Sequence, residues 1–258
     1  METDWAIESE NLTRAFGDVR AVDDVNLRVR WGSFYGFLGP NGAGKSTTIK
    51  MLTGLLEPTS GSMRILGESV RQDQEQLAIK KRIGVVPENL GLFDNLTARE
   101  YLTFVGRMYL MPVDTIQQRS EDLLSVLGLQ DEHKKLTLEY SHGMKKKLSL
   151  AAALLPNPDL LFLDEPFEGV DAVTSRAIRD ILSDFVARGS TVFLTSHVLE
   201  IVERLCTDVG IIAHGKLIEQ GPLDELKQDG SLESLFLQRV GNHEETRVEV
   251  SWLKDRAV

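Results

Sequence analysis

Apolar and polar positions alternate near the start of the chain and gather into solid runs further on. Val25, Leu27 and Val29 alternate with Asn26, Arg28 and Arg30, the period of a half-buried strand. With Leu12 to Phe16 this predicts a small antiparallel sheet. Phe34-Tyr35-Gly36-Phe37-Leu38 is a short apolar run, the pattern of a buried strand, and Thr48 to Leu52 continues as a helix. Pro58-Thr59-Ser60-Gly61 is a turn and Met63 to Gly67 another short strand. Ile83 to Val86 is a buried strand that ends at Pro87.

The pattern changes after Gly91. Thr97-Ala98-Arg99-Glu100 is a capping box that opens a helix through Tyr109. Asp114 is expected to cap a second helix ending at Gly128, and a third runs from Gly143 to Leu155. Leu160-Leu161-Phe162-Leu163 is then a continuous apolar run typical of a central parallel strand. Ile178, Ile181, Leu182 and Phe185 mark one face of a helix that Gly189 ends. Val192 to Leu194 and Val209 to Ile212 are further strands, and past Gly221 the chain turns polar.

Composition narrows the function classes. At 258 residues the chain can bury a full core. Its formal net charge of −10 argues against a general nucleic-acid binder, which needs a clustered basic surface. Lys145-Lys146-Lys147 is the one candidate for a local basic patch. Cys206 is the single cysteine, so no internal disulfide forms and a reducing compartment is expected. Met1 to Trp5 is acidic and lacks an apolar stretch, so no secretory signal is expected. No run approaches the ~18 apolar residues of a membrane span, so a membrane role would need a separate chain.

The segment between the first apolar strand and its helix carries chemistry. Gly39-Pro40-Asn41-Gly42-Ala43-Gly44-Lys45-Ser46-Thr47 fits the phosphate-loop pattern G-x-x-x-x-G-K-[ST] in its strand–loop–helix context. Glycines let backbone N–H groups close on a phosphate, and the helix N-terminus adds partial positive charge. Lys45 supplies a charge for the outer phosphates, and Ser46 a hydroxyl ligand for Mg²⁺. Much further along, the run Leu160 to Leu163 ends in Asp164-Glu165. Asp164 then lies at the strand's C-terminal edge, where open α/β sheets bind ligands, and reaches Mg²⁺ through water or Ser46. Glu165 is placed to polarise an attacking water.

Three more segments complete an ordered set. Ser141-His142-Gly143-Met144-Lys145 opens a helix before the acidic strand, Asp171 follows it, and His197 ends the next strand in Thr195-Ser196-His197. In this order and spacing the chain resembles the ATP-binding cassette (ABC) family over residues 5–225. The resemblance implies an α/β fold: a phosphate-loop NTPase core with a small antiparallel β subdomain and an inserted helical subdomain. Residues 1–90 and 157–224 would form the core, 91–156 the helical insertion and 225–258 a C-terminal tail.

The resemblance also implies roles. Phe16 matches the aromatic that stacks on adenine. Gly39 to Thr47 match the phosphate loop. Asp164 and Glu165 match the Mg²⁺-associated acid and the general base. His197 matches the histidine that contacts the γ-phosphate. Ser141-His142-Gly143-Met144 matches the signature, usually Ser-Gly-Gly-Gln, that binds the γ-phosphate held by the opposite subunit of a head-to-tail dimer. Asp171 matches the segment that communicates across that dimer. Two departures stand out. His142 and Met144 replace a glycine and a polar residue. Glu88, in Val86-Pro87-Glu88-Asn89, stands where the family usually has a glutamine facing Mg²⁺ and the water.

These features imply an ATP-hydrolysing subunit that binds ATP and Mg²⁺ and works as a homo- or heterodimer. It would lie on the cytoplasmic face of a membrane and couple to a separate multi-span subunit. That subunit would dock near Glu88 to Phe93, Tyr101, Phe104 and Met108. The signature and the Pro87-Glu88 pair look most like ABC-2-type exporters. The alternative is a soluble cassette ATPase of Fe–S cluster assembly.

Overall fold

The computed structural model of the chain describes residues 4–70, 73–132, 134–227 and 230–240. Residues 241–258, most of the expected tail, lie outside the described residues.

The first alternating segment forms β1 (Trp5–Phe16), β2 (Val19–Val25) and β3 (Arg28–Arg30). Val25, Leu27 and Val29 are all fully buried, so the period is real. It spans two strands rather than the one expected, because β2 and β3 pair antiparallel with different parts of β1. At the break, the Ser9 hydroxyl accepts the Leu27 N–H at 2.9 Å and donates to the Val25 carbonyl at 2.9 Å. A buried hydroxyl thus satisfies backbone groups where the ladder is interrupted. β5 (Ser60–Ile65) and β6 (Glu68–Ser69) complete the sheet in the order β2-β1-β5-β6, with β3 also on β1.

The main sheet has six strands in the order β11-β10-β4-β9-β8-β7. It comprises β4 (Phe34–Leu38), β7 (Ile83–Val86), β8 (Leu160–Asp164), β9 (Thr191–Ser196), β10 (Asp208–Ala213) and β11 (Lys216–Pro222). β11 is antiparallel to β10, and the other pairs are parallel. Side chains alternate between two buried layers. Phe34, Leu38, Leu161 and Leu163 face one, against the long helices. Tyr35, Phe37, Leu160 and Phe162 face the other, with the antiparallel sheet and α1 (Lys45–Leu52). Phe193 anchors this second layer, its ring 5.5 Å from Tyr35, 5.4 Å from Phe37 and 5.7 Å from Phe162. Burial on both faces explains why these strands read as solid apolar runs.

α2 (Asp73–Arg82) precedes β7, and α3 (Ala98–Met108), α4 (Val113–Val126) and α5 (His142–Leu154) follow it. The capping box at Thr97 and Glu100 forms as expected. Asp114 does not cap α4. Pro112 holds that position with φ −59°, and Asp114 lies inside the first turn. Proline's fixed φ suits a helix start, so no side-chain cap is required. α5 starts one residue earlier than expected because the Ser141 side chain accepts the Met144 N–H at 3.2 Å. α6 (Ala172–Ala187) buries Ile178, Leu182 and Phe185 on one face as predicted. α7 (Leu199–Leu205) follows β9, and beyond Gly221 the described residues include α8 (Leu223–Lys227) and α9 (Leu232–Val240).

α5 sits tightly on the sheet. A Cβ at Gly84 of β7 would lie 2.5 Å from the Ala153 carbonyl oxygen and 2.8 Å from Leu161 Cδ1. Backbone cannot yield as a flexible side chain can. Gly84→Ala should therefore destabilise the chain by about 1–3 kcal/mol, the scale of overpacking. Gly91→Ala, where a Cβ meets nothing within 4 Å, should stay within about 0.5 kcal/mol of wild type. Urea midpoints of the two variants check this; equal midpoints would show that α5 is free to shift.

Candidate nucleotide site

Parallel pairing brings the C-terminal ends of β4, β7, β8 and β9 to one edge of the main sheet. The loops leaving them carry the candidate residues, and they enclose a cavity of about 270 Å³ lined by residues 41–47, Ala21, Glu88 and Glu165. Gly44 caps α1 with φ 109°, and a Cβ there would lie 2.4 Å from the Ala21 carbonyl oxygen. A Cβ on Gly39 would lie 2.4 Å from the Ile212 carbonyl oxygen. The protein's own backbone thus demands both glycines, a reason that the sequence pattern did not reveal. Gly42, with φ 80° and open space around it, is the position where the phosphate argument applies.

Lys45 is buried, and its ammonium donates to the Gly39 carbonyl at 2.8 Å and lies 3.5 Å from Glu165 Oε1. Ser46 donates to Asp164 Oδ1 at 3.2 Å. This hydroxyl–carboxylate pair offers hard oxygens, a donor set that fits Mg²⁺ completed by water and phosphate oxygens. Glu88 is exposed on the cavity wall.

Thr195 joins the two acids. Its hydroxyl donates to Asp164 Oδ1 at 2.6 Å and accepts the Glu165 N–H at 3.0 Å. Sequence reasoning passed over it in favour of His197. Its signal was a hydroxyl two residues before that histidine, directly after the apolar run Val192-Phe193-Leu194. Glu165 has φ 48°, a left-handed conformation that costs a non-glycine residue on the order of 1–2 kcal/mol. Its carboxylate Oε2 lies 3.0 Å from His197 Nδ1. An ionised Glu165 therefore holds His197 as the Nδ1–H tautomer.

A second residue escaped the sequence reading. Within the lysine run expected to form a local basic patch, Lys146 is only 3 % exposed. Its ammonium donates to the Glu165 carbonyl. Burial lowers its pKa from the usual lysine value, opposed by Glu168, Glu165, Glu88 and Asp164. The run is not a patch, because α5 turns its middle residue into the core.

The remaining candidates lie apart from the cavity. Phe16 is 50 % exposed at the end of the β1–β2 hairpin, with the Arg14 guanidinium 4.6 Å from its ring centroid. None of Ser141, His142, Gly143 and Met144 is among the cavity's lining residues. They open α5 beside the loop after β8: a Cβ on Gly169 would lie 3.2 Å from the His142 ring, and one on Gly143 would lie 3.8 Å from Asp171 Oδ2. The Ser141 hydroxyl, which accepts from Met144 N–H, keeps its own O–H free to donate. Asp171 caps α6, accepting from Thr174 N–H at 2.9 Å and Val173 N–H at 3.0 Å. The Thr174 backbone contact foremost holds this carboxyl below the usual carboxylate range.

Comparison with known proteins agrees with this geometry. A profile of the family described as ABC transporter matches residues 22–168. The bacitracin transport ATP-binding protein BcrA of Bacillus licheniformis is 42 % identical over 225 residues, 86 % of this chain and 71 % of the relative. The daunorubicin/doxorubicin resistance ATP-binding protein DrrA of Streptomyces peucetius is 38 % identical over 222 residues, 86 % of this chain and 67 % of the relative. The solved structure of a dimeric bacterial ABC transporter cassette superposes with a TM-score of 0.78 at 25 % identity, over 84 % of this chain and 98 % of that one. With the phosphate loop, acidic strand end and signature helix in one ordered fold, the chain belongs to the ABC transporter family, as one of its ATPases.

Proposed function

We propose that this ATPase is the ATP-hydrolysing subunit of an exporter. It works as a head-to-tail dimer on the cytoplasmic face of a membrane and drives a separate multi-span subunit. The observation that carries the reading is the division of the site. Residues 41–47, Glu88 and Glu165 share one cavity, while the signature residues open a helix outside it. A single chain therefore holds two halves of two different sites, which a head-to-tail pair makes whole. The dimeric assembly of the cassette compared above supports the same arrangement. The names of the relatives, bacitracin transport and drug resistance, favour export over cluster assembly.

In this reading Phe16 stacks on adenine, and Gly39, Pro40, Asn41, Gly42, Ala43, Gly44, Lys45, Ser46 and Thr47 receive the phosphates. Ser46, Asp164 and Glu88 would hold Mg²⁺, which when bound offsets the phosphate charge. Glu165 accepts a proton from the attacking water while His197 orients its carboxylate. Lys45, 3.5 Å from Glu165, would supply its charge to the outer phosphates. Ser141, His142, Gly143 and Met144 contact the γ-phosphate of the opposite subunit, with Asp171 relaying between sites. The groove of Glu88 to Phe93 and the helix of Tyr101, Phe104 and Met108 would form the docking face. There Phe93 meets Phe104 edge to face at 5.1 Å, and Phe93, Phe104 and Met108 are exposed.

Glu165→Gln should bind ATP, stop hydrolysis and accumulate an ATP-dependent dimer on size exclusion, because the water loses its base while binding groups stay intact. Lys45→Ala should abolish turnover and weaken nucleotide binding by about 1.5–3 kcal/mol, the net scale of one charge-assisted contact. Wild-type turnover in either variant would overturn the site assignment.

Glu88 gives a finer test. Glu88→Gln should keep substantial activity, since Mg²⁺ accepts a neutral or a charged hard oxygen. Glu88→Ala should lose most activity and need more Mg²⁺. ATPase rate against Mg²⁺ concentration separates them. Identical curves for Glu88→Ala and wild type would make Glu88 a solvated loop acid.

A further inference from the structure

The Glu165 backbone is held from both sides. Its N–H donates to Thr195 of β9, and its carbonyl accepts from Lys146 of α5. The residue between these two anchors has a left-handed φ of 48°. Lys146 lies two residues beyond Met144, the end of the signature, on the same helix that Ser141 caps. It is only 3 % exposed, and the charges of Glu168, Glu165, Glu88 and Asp164 oppose the lowering of its pKa by burial. Solvent hydrates lysine strongly, so a buried ammonium is retained where its charge and its directed N–H are used.

We propose that Lys146 is a positioning residue for hydrolysis: it fixes the strained backbone of Glu165 and ties that residue to the signature helix. The proposal rests on the reading of Glu165 as the base. Its consequence is a rigid link inside one chain between two different nucleotide sites. The first turn of α5 meets the nucleotide held by the opposite subunit, whereas Glu165 serves the nucleotide held by its own phosphate loop. A phosphate drawn to the start of α5 bears on the helix that carries Lys146, and through its N–H on the carbonyl that sets the direction of the Glu165 side chain. His142 against Gly169 and Gly143 beside Asp171 are further points where the same helix start meets the same loop. They keep α5 and the loop moving together.

A packing role and a positioning role differ in what they spare. Nucleotide binding uses the phosphate loop, which Lys146 does not contact through any hydrogen bond or ion pair described here. Loss of its charge should therefore fall on the chemical step. The test uses the purified full-length chain with ATP and Mg²⁺. Lys146→Met keeps a long apolar stem and removes the donor. It should lower kcat by about tenfold or more while KM and the binding of a fluorescent ATP analogue stay within about threefold, the pattern of an interaction needed only in the transition state. Lys146→Arg keeps charge and donor and should recover most of the lost kcat.

The double variant Lys146→Met/Glu165→Gln should still form the ATP-dependent dimer of Glu165→Gln and show no further loss of turnover, because both changes act through one group. Unchanged kcat in Lys146→Met, alongside loss of turnover in Glu165→Gln, overturns the proposal alone. Wild-type turnover in Glu165→Gln overturns the reading of the base, and the role of Lys146 with it. A Lys146→Met chain that is unfolded, that loses ATP binding as strongly as kcat, or whose double variant no longer dimerises makes Lys146 a packing residue and also overturns the proposal. If Met at this position prevents folding, Lys146→Arg offers independent evidence: a folded Arg chain with kcat as low as that of Glu165→Gln counts against positioning by charge and N–H.

Discussion

Asp164 is a carboxylate at the end of an apolar strand, almost wholly buried, and the site is organised around satisfying it. An unpaired charge in such a place is costly, so partners must converge on it. Ser46 comes from the start of α1 and Thr195 from β9, each within hydrogen-bond distance of the same oxygen. The arrangement fixes the phosphate loop, the acidic strand end and the neighbouring strand relative to one another. The parallel sheet makes this possible, because its pairing brings those three C-terminal ends to a common edge.

The next residue shows how the same network serves chemistry. Glu165 is forced into a left-handed backbone, and three elements hold it: Thr195 at the N–H, Lys146 at the carbonyl and His197 at the carboxylate. Each holds a different atom, so the side chain has one direction. In the proposed role as base, a carboxylate whose direction is set in advance loses little entropy when it meets its water, the general advantage of preorganised groups. The strain is local and is offset by packing elsewhere, as is common at functional sites.

The helical segment joins this site from the far side. α5 presses on β7 where only glycine fits at position 84, and this close contact brings its first turns against the loop after β8. Packing between α5 and the sheet therefore controls both the signature and Lys146. Phe104 of α3 is exposed on the same segment and meets Phe93, which precedes that helix, edge to face at 5.1 Å.

Local sequence determined much of this. Apolar runs located β4, β7, β8, β9 and β10 because burial on both faces leaves these strands without an alternating polar side. The phosphate loop, Asp164, Glu165 and His197 stood out in the sequence as polar residues at the ends of apolar strands, and the structure brings them together. Thr97 and Glu100 capped α3 as written, since a capping box is a contact between near neighbours. Tertiary structure decided the rest. The break between β2 and β3 depends on which part of β1 each strand meets, and the hydroxyl of Ser9 that seals it is distant in sequence. Gly39 is glycine because of a carbonyl on Ile212, and Gly44 because of one on Ala21. Pro112 rather than Asp114 starts α4, as proline's own geometry competes with the side-chain cap. Above all, Lys145-Lys146-Lys147 looks like a solvated basic run. Only the packing of α5 on the sheet turns its middle ammonium inward to the carbonyl of Glu165, a contact between distant parts of the chain that no local pattern encodes.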